Sequence, residues 1–292
     1  MTQGLQVLGL AFKDYSHEWR MSGCYILGLA AVLAPLMVLF GLKFGVITGM
    51  VTALTEDPRN REIRPVGSGH YEADWFETMR VRPEVSFVIP RTRTLAATVD
   101  LRSEQASNIV SAELLPSAGT DPLLVRVRRH PQGLSKVVLS ASAAQRLEVA
   151  AGGLVEASIA RRYQGRPERV RFKLTVVDVL NEAAFSRPAV FSTLELVTAA
   201  ESFRDGRAVA AMGWSGTEPD AGGRSYPSFR LYARSIYDVP GLAQELITAG
   251  QKVKTNAADI ETVISIDRNL ALVFWIIALA GMAGFSLSLG AS

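Results

Sequence analysis

The chain has 292 residues, 48% of them hydrophobic, with one cysteine and a formal net charge of +3. Arg far outnumbers Lys and the cations are scattered, which argues against a nucleic-acid face, because such a face needs a basic cluster. The single cysteine, Cys24, excludes an intrachain disulfide. The mean hydropathy of +0.18 averages two unlike populations. Two stretches are nearly pure hydrocarbon, and about 200 residues between them have the composition of a soluble protein, enough for one or two domains with real cores.

In chain order, Leu5 to Arg20 comes first. Leu5, Leu8, Phe12, Tyr15 and Trp19 recur at three- to four-residue spacing, which predicts an interfacial amphipathic helix with Trp19 as an aromatic anchor. Met21 to Leu42 then carries no charge and matches the ~20 residues a helix needs to cross a bilayer. It is too long for the core of a cleaved signal peptide. Pro35 predicts a mild kink, and Lys43 is placed at the interface, where its stem can snorkel. The helical pattern continues as a stalk toward Pro58. Gly41, Gly45, Gly49 and Ala53 lie four residues apart, on one helix face where a second helix can approach closely.

The soluble stretch, Glu56 to Asn256, reads as strand-rich α+β. Ala73 to Pro83 predicts a short helix. Val85 to Arg102 predicts extended strand with Pro90 at an edge or bulge. Leu123 to Arg129 alternates and predicts a strand. Lys136 to Leu180 predicts strand, helix, a Gly152-Gly153 turn, strand, a Gly165 turn and strand. Ala189 to Ala200 predicts strand then helix, Ser228 to Ile236 a strand, and Val239 to Gly250 a helix ended by glycine. Asn256 opens a long helix that enters the uncharged segment Asn269 to Ser292, the second predicted span. Ala280, Gly284 and Ser288 form a second small-residue ridge on it.

Chemistry is sparse. The sequence lacks a GxxxxGK[ST] phosphate loop, a GxSxG elbow and an HExxH pair. His17, His70 and His130 are far apart. His70, Glu72 and Asp74 form the densest acid–imidazole group and read as a polar turn. No catalytic, cofactor-binding or metal residue is predicted. The apolar spans hold no ionisable residue besides interfacial Lys43, which argues against an ion pathway through two helices alone.

The order of these pieces resembles the FtsX-like permease family, the membrane subunits of ABC-type machines with a periplasmic core domain of MacB type. The resemblance rests on LAPLMVLFGLKFGVITGM for the first span, on VVLSASAAQRLEVAAGGLVEASIARRYQGRPERVRFKLTVVDVL for the extracytoplasmic module, and on SFRLYARSIYDVPGLAQELITAG before the second span. It implies a membrane protein of transmembrane α-helices plus an α+β extracytoplasmic domain. The divisions are an interfacial helix (1–20), a first span with stalk (21–55), the domain (56–256), and a second stalk and span (257–292). It also implies a partner ABC ATPase that holds the ATP and Mg, so that this chain needs no cofactor and is no enzyme itself. A second permease copy or paralogue, membrane lipids and a periplasmic partner complete the implied partners. The implied location is the bacterial inner membrane with a cytoplasmic amino terminus, although a count of flanking Lys and Arg points the other way. Family members continue with a coupling segment and two further spans, so the resemblance implies a subunit cut short at Ser292. Two other functions fit the same layout: a two-span membrane sensor, and an FtsX-type regulator of cell-wall hydrolases.

Overall fold

The structure is a computed structural model that describes residues 19–93, 97–105, 108–217 and 223–291. The chain divides into two compact units, Met1–Leu54 with Asp259–Ser292, and Thr55–Ala258.

The described residues of the first unit are helical. Helix α1 spans Trp19–Gly41, and a π-helical segment, Leu42–Ile47, joins it to α2, Thr48–Glu56. Pro35 lies inside the α-helix, and a π turn that contains Lys43 and Gly45 follows it. Wider turns of this kind relax the i→i−4 ladder locally. The second helical element of the unit belongs to a 35-residue helix, Ala257–Ala291. Its stretch Ile260–Gly284 is, among the described residues, the one helix long and apolar enough to cross a membrane, and Ile26–Gly41 is a shorter apolar helix. Leu27, Met37, Val38, Leu272, Trp275 and Leu279 are exposed. Apolar surface on this scale calls for lipid or another protein. The predicted amphipathic helix up to Glu18 lies outside the described residues.

The second unit holds two sheets. Strand β1 (Glu62–Pro65), helix α3 (Ala73–Arg80) and β2 (Val85–Arg91) form one βαβ piece. Strand β9 (Ser228–Ala233), helix α6 (Val239–Thr248) and β10 (Val253–Lys254) form another. They interlock in the order β10-β1-β9-β2, with every neighbour antiparallel. Each βαβ piece is therefore split by a strand of the other, the split βαβ arrangement. Pro90 sits on β2, an edge strand, where a missing N–H costs no ladder bond.

Between β2 and β9 the chain builds a closed six-stranded barrel. Its strands are β3 (Thr98–Arg102), β4 (Val110–Pro116), β5 (Lys136–Leu139), β6 (Leu154–Tyr163), β7 (Arg166–Val179) and β8 (Ala189–Ser192), ordered β3-β4-β8-β5-β7-β6. Strand β6 alternates buried and more exposed residues and pairs with β7 as a hairpin, and Gly165 at φ +80° makes its turn. Helices α4 (Ala141–Leu147) and α5 (Leu194–Arg204) each start on a hydroxyl cap directly after a barrel strand, Ser140 after β5 and Thr193 after β8. They send Ala143, Leu147, Leu196 and Phe203 into the barrel core beside Val99, Leu139, Ile159 and Leu174.

Two expectations fail. Leu123–Arg129 is not a strand. Asp121 accepts the Leu123 N–H at 3.0 Å and starts a 3-10 turn over Pro122–Leu124, whose three side chains are buried. The Arg128 N–H is then taken by the Asp178 carboxylate at 2.6 Å, not by a neighbouring strand. Val85–Arg102 is not one strand either. It breaks after Arg91, and its halves β2 and β3 belong to different sheets.

Candidate functional site

The site that best connects fold to function is the edge at which the chain enters and leaves the second unit. Asp57 accepts the Arg59 N–H at 2.9 Å and ends the stalk in a 3-10 turn over Pro58–Arg61. The chain then passes into β1, whose Arg64 and Pro65 pair with Lys254 and Val253 of β10. The Val66 N–H donates to the Lys252 carbonyl at 2.7 Å, and the Asn256 side-chain amide donates to Asn60 Oδ1 at 2.9 Å. Entry and exit are thus neighbouring, hydrogen-bonded strands. Strand β1 lies between β10 and β9, so the entry strand pairs with both strands of the other βαβ piece.

From that sheet, two polar devices lead to the barrel. The first is buried. Arg230 of β9 donates to Asp121 through Nη1 (2.8 Å) and Nη2 (3.2 Å), and to the Pro116 carbonyl at 2.8 Å. Both side chains of the ion pair are almost wholly buried, at 3% and 0% exposure. Asp121 is further held by the Ser117 hydroxyl at 2.7 Å. Burial is the largest influence on the Arg230 pKa and would lower it, but the Asp121 charge, the Tyr232 oxygen and the hydrogen bonds to both together outweigh it and hold the guanidinium firmly protonated. The neighbouring Tyr232 hydroxyl is pushed up to about 12, chiefly by burial. Around the pair, Phe87, Ile89 and Tyr232 of the sheet pack on Leu115, Leu124, Val138 and Phe191 of the barrel.

The second device sits where the chain crosses between the sheets. Glu201 of α5 accepts the Arg93 N–H at 3.1 Å and its Nε at 3.2 Å, and pairs with Arg224. Arg93 follows β2 and Arg224 precedes β9, so one carboxylate holds the outgoing and the returning strand. Burial would raise the Glu201 pKa, but these hydrogen bonds and the Arg224 charge outweigh it and hold the pKa below the usual glutamate value.

The predicted helix-packing residues fall on the helices. Gly41, Gly45, Gly49 and Ala53 are exposed, as are Ala280 and Gly284. A Cβ placed on Gly41, Gly45, Gly49 or Gly284 meets nothing within 4 Å. Four residues slightly overshoot an α turn and fall short of a π turn, so the π segment at Gly45 keeps the glycines near one side. Trp19, Lys43 and Ser288 lie within described helical backbone, and nothing is assigned to their side chains. His70, Glu72 and Asp74 flank Tyr71, which is buried against Trp75, Phe76 and Phe229. Among the described residues no group of three or more His, Cys, Asp or Glu is placed to hold a metal. The polar devices that join the two sheets carry no local sequence signature, because their partners are brought together only by the fold. No family model matches the chain, and no curated protein matches it.

Proposed function

We propose that the chain is the membrane (permease) subunit of an ABC-type transporter, one that passes motion from a partner ATPase to its central domain for export or for extraction of a lipid or lipoprotein. The observation that carries this reading is the tether edge. Both apolar helices connect to one domain through adjacent paired strands, β1 and β10, which suits a part that is pulled and twisted by its stalks. The exposed apolar helices support a membrane setting, and the open small-residue ridges support close approach of a second permease copy. The central domain is then extracytoplasmic.

Co-purification of the full-length protein with its ATPase tests the proposal. The expected result is a stable complex whose ATP hydrolysis is coupled to domain motion, and which Gly45→Leu breaks by blocking the ridge. An ATPase complex that survives Gly45→Leu overturns the ridge as an interface. Absence of any ATPase partner, with a small ligand on the central domain instead, turns the assignment to a two-span sensor.

A further inference from the structure

A cavity of about 50 Å³ lies between the sheet and the barrel, bounded by β1, β2, β4, β9 and the loop that precedes β8. Holding one water takes roughly 10–15 Å³, so the space accepts a group of several heavy atoms. Five arginines line it, Arg59, Arg64, Arg91, Arg187 and Arg230, with apolar walls from Leu115, Leu123 and Phe185.

The charges around this cavity do not cancel. Arg59 is matched by Asp57, Arg64 by Glu62, and Arg230 by Asp121. Arg91 and Arg187 share the single carboxylate of Glu113. Five guanidinium groups therefore face four carboxylates, and one positive charge is left over, at Arg91 and Arg187. Arg91 Nε is in addition buried without a hydrogen-bond partner. A buried donor left unmade costs free energy, and here it borders the surplus charge. Burial depresses the Arg91 pKa, Glu113 opposes this, and the Arg230 and Arg187 charges add to the depression, so a further negative charge in the cavity would be favoured.

We propose that this cavity binds a singly charged phosphate-type oxyanion, with Arg91 supplying buried donors and Arg187 closing over the ligand from the rim. The forked guanidinium matches oxyanion geometry better than an ammonium does, and the whole lining contains no lysine. Arg187 is 69% exposed at the rim, whereas Glu113 is 15% exposed and lies between its two arginines. The ligand comes either from free phosphate or from the phosphodiester of a lipid headgroup. The inference does not depend on the transport assignment.

Calorimetric titration of the purified full-length protein in a neutral detergent tests it. The probes are inorganic phosphate and a short-chain phosphatidylglycerol. Saturable binding is expected, weakened at least tenfold by Arg187→Gln and tightened severalfold by Glu113→Gln, which removes the competing carboxylate. Phosphatidylglycerol binding at least tenfold tighter than phosphate identifies a lipid headgroup as the source. Equal or weaker binding identifies the free anion. Absence of saturable binding by either probe, or affinities that both variants leave unchanged, overturns the proposal. Because Glu113→Gln is expected to strengthen binding, a loss through misfolding cannot imitate the full pattern.

Discussion

The barrel and the split sheet occupy one compact unit and are built on opposite plans. The barrel is made from one continuous run of chain, Thr98 to Ser192, and its longest ladder is a local hairpin, from Leu154 paired with Thr175 to Tyr163 paired with Arg166. The sheet is assembled from the two ends of the unit. Its β1 has four residues and its β10 two, and they meet only after the whole barrel has been traversed. Local pairing closes short loops and is cheap in entropy, while pairing across a long insertion has to be held by tertiary contacts. The barrel's hairpin is therefore expected to hold without distant partners, whereas the pairing of β1 with β10 depends on contacts that span the whole unit.

The contrast breaks most sharply at Arg230 and Asp121. Removing one partner of a buried ion pair leaves an uncompensated charge and costs about 3–5 kcal/mol. Asp121→Ala or Arg230→Ala is expected to lose that much in thermal or denaturant unfolding of the full-length protein. The loss should fall on the sheet. By hydrogen exchange, amides of β9 and β2 should lose protection while those of the β6–β7 hairpin keep theirs. Uniform loss in both sheets would mean that barrel and sheet fold as one inseparable body. Replacing both partners together, Arg230→Met with Asp121→Leu, is expected to recover most of the stability.

Glu201 sharpens the comparison through pH. Its hydrogen bonds to Arg93 and Arg224 hold together the two chain crossings, and hydrogen bonds to charged groups are worth about 1.5–3 kcal/mol. Because the folded pKa is depressed, the contribution is fully present above the ordinary glutamate value of about 4.3. It is lost as pH falls through the lower folded value. Glu201→Gln should therefore destabilise the protein at neutral pH, and the gap between variant and parent should close in acid below that ordinary value. A gap that is the same at all pH values would show that the carboxylate charge is not what matters.

The same contrast explains what was legible in the sequence. Lys136 to Leu180 could be read nearly element by element, because its signals are local: a hydroxyl cap at Ser140, glycine turns with positive φ at Gly152 and Gly165, and alternation along β6. The sheet was legible only in part. Strand β9 falls within the stretch Ser228 to Ile236 that alternates, whereas β1 and β10, of four and two residues, hold too little pattern, and the join between β2 and β3 looked like one extended run. Leu123–Arg129 alternates, yet Asp121 and Pro122 turn the backbone there, and the alternation belongs to a loop whose first leucines are buried. The candidate site was the least legible of all. Arg230 and Asp121 are 109 residues apart in the chain, and the cavity arginines come from four separate segments. In an arginine-rich chain, nothing marks these residues off from solvated ones until the fold assembles them. The small-residue ridges were readable as spacing, but spacing does not say what lies opposite.

The smallest expected effect tests the barrel on its own terms. Ser140 and Thr193 stand at equivalent places, each a hydroxyl cap between a barrel strand and a helix. Their settings differ. Ser140 is fully buried, and its Oγ accepts both the Ala143 N–H of α4 at 3.3 Å and the Ala189 N–H of β8 at 2.9 Å. Thr193 Oγ1 accepts the Leu196 N–H at 3.5 Å and donates to the Gly133 carbonyl at 2.8 Å. Losing a cap costs about 0.5–2 kcal/mol. Ser140→Ala should fall at the upper end, because it strands two buried N–H donors, one of them on a neighbouring strand. Thr193→Ala should fall at the lower end, since its partners are nearer to water. Thermal unfolding of the two variants side by side decides the point. Equal losses would show that Ser140 acts only as a cap, and that the seam between β5 and β8 rests on the strand pairing of Val138 and Leu139 with Phe191 and Val190 rather than on its hydroxyl.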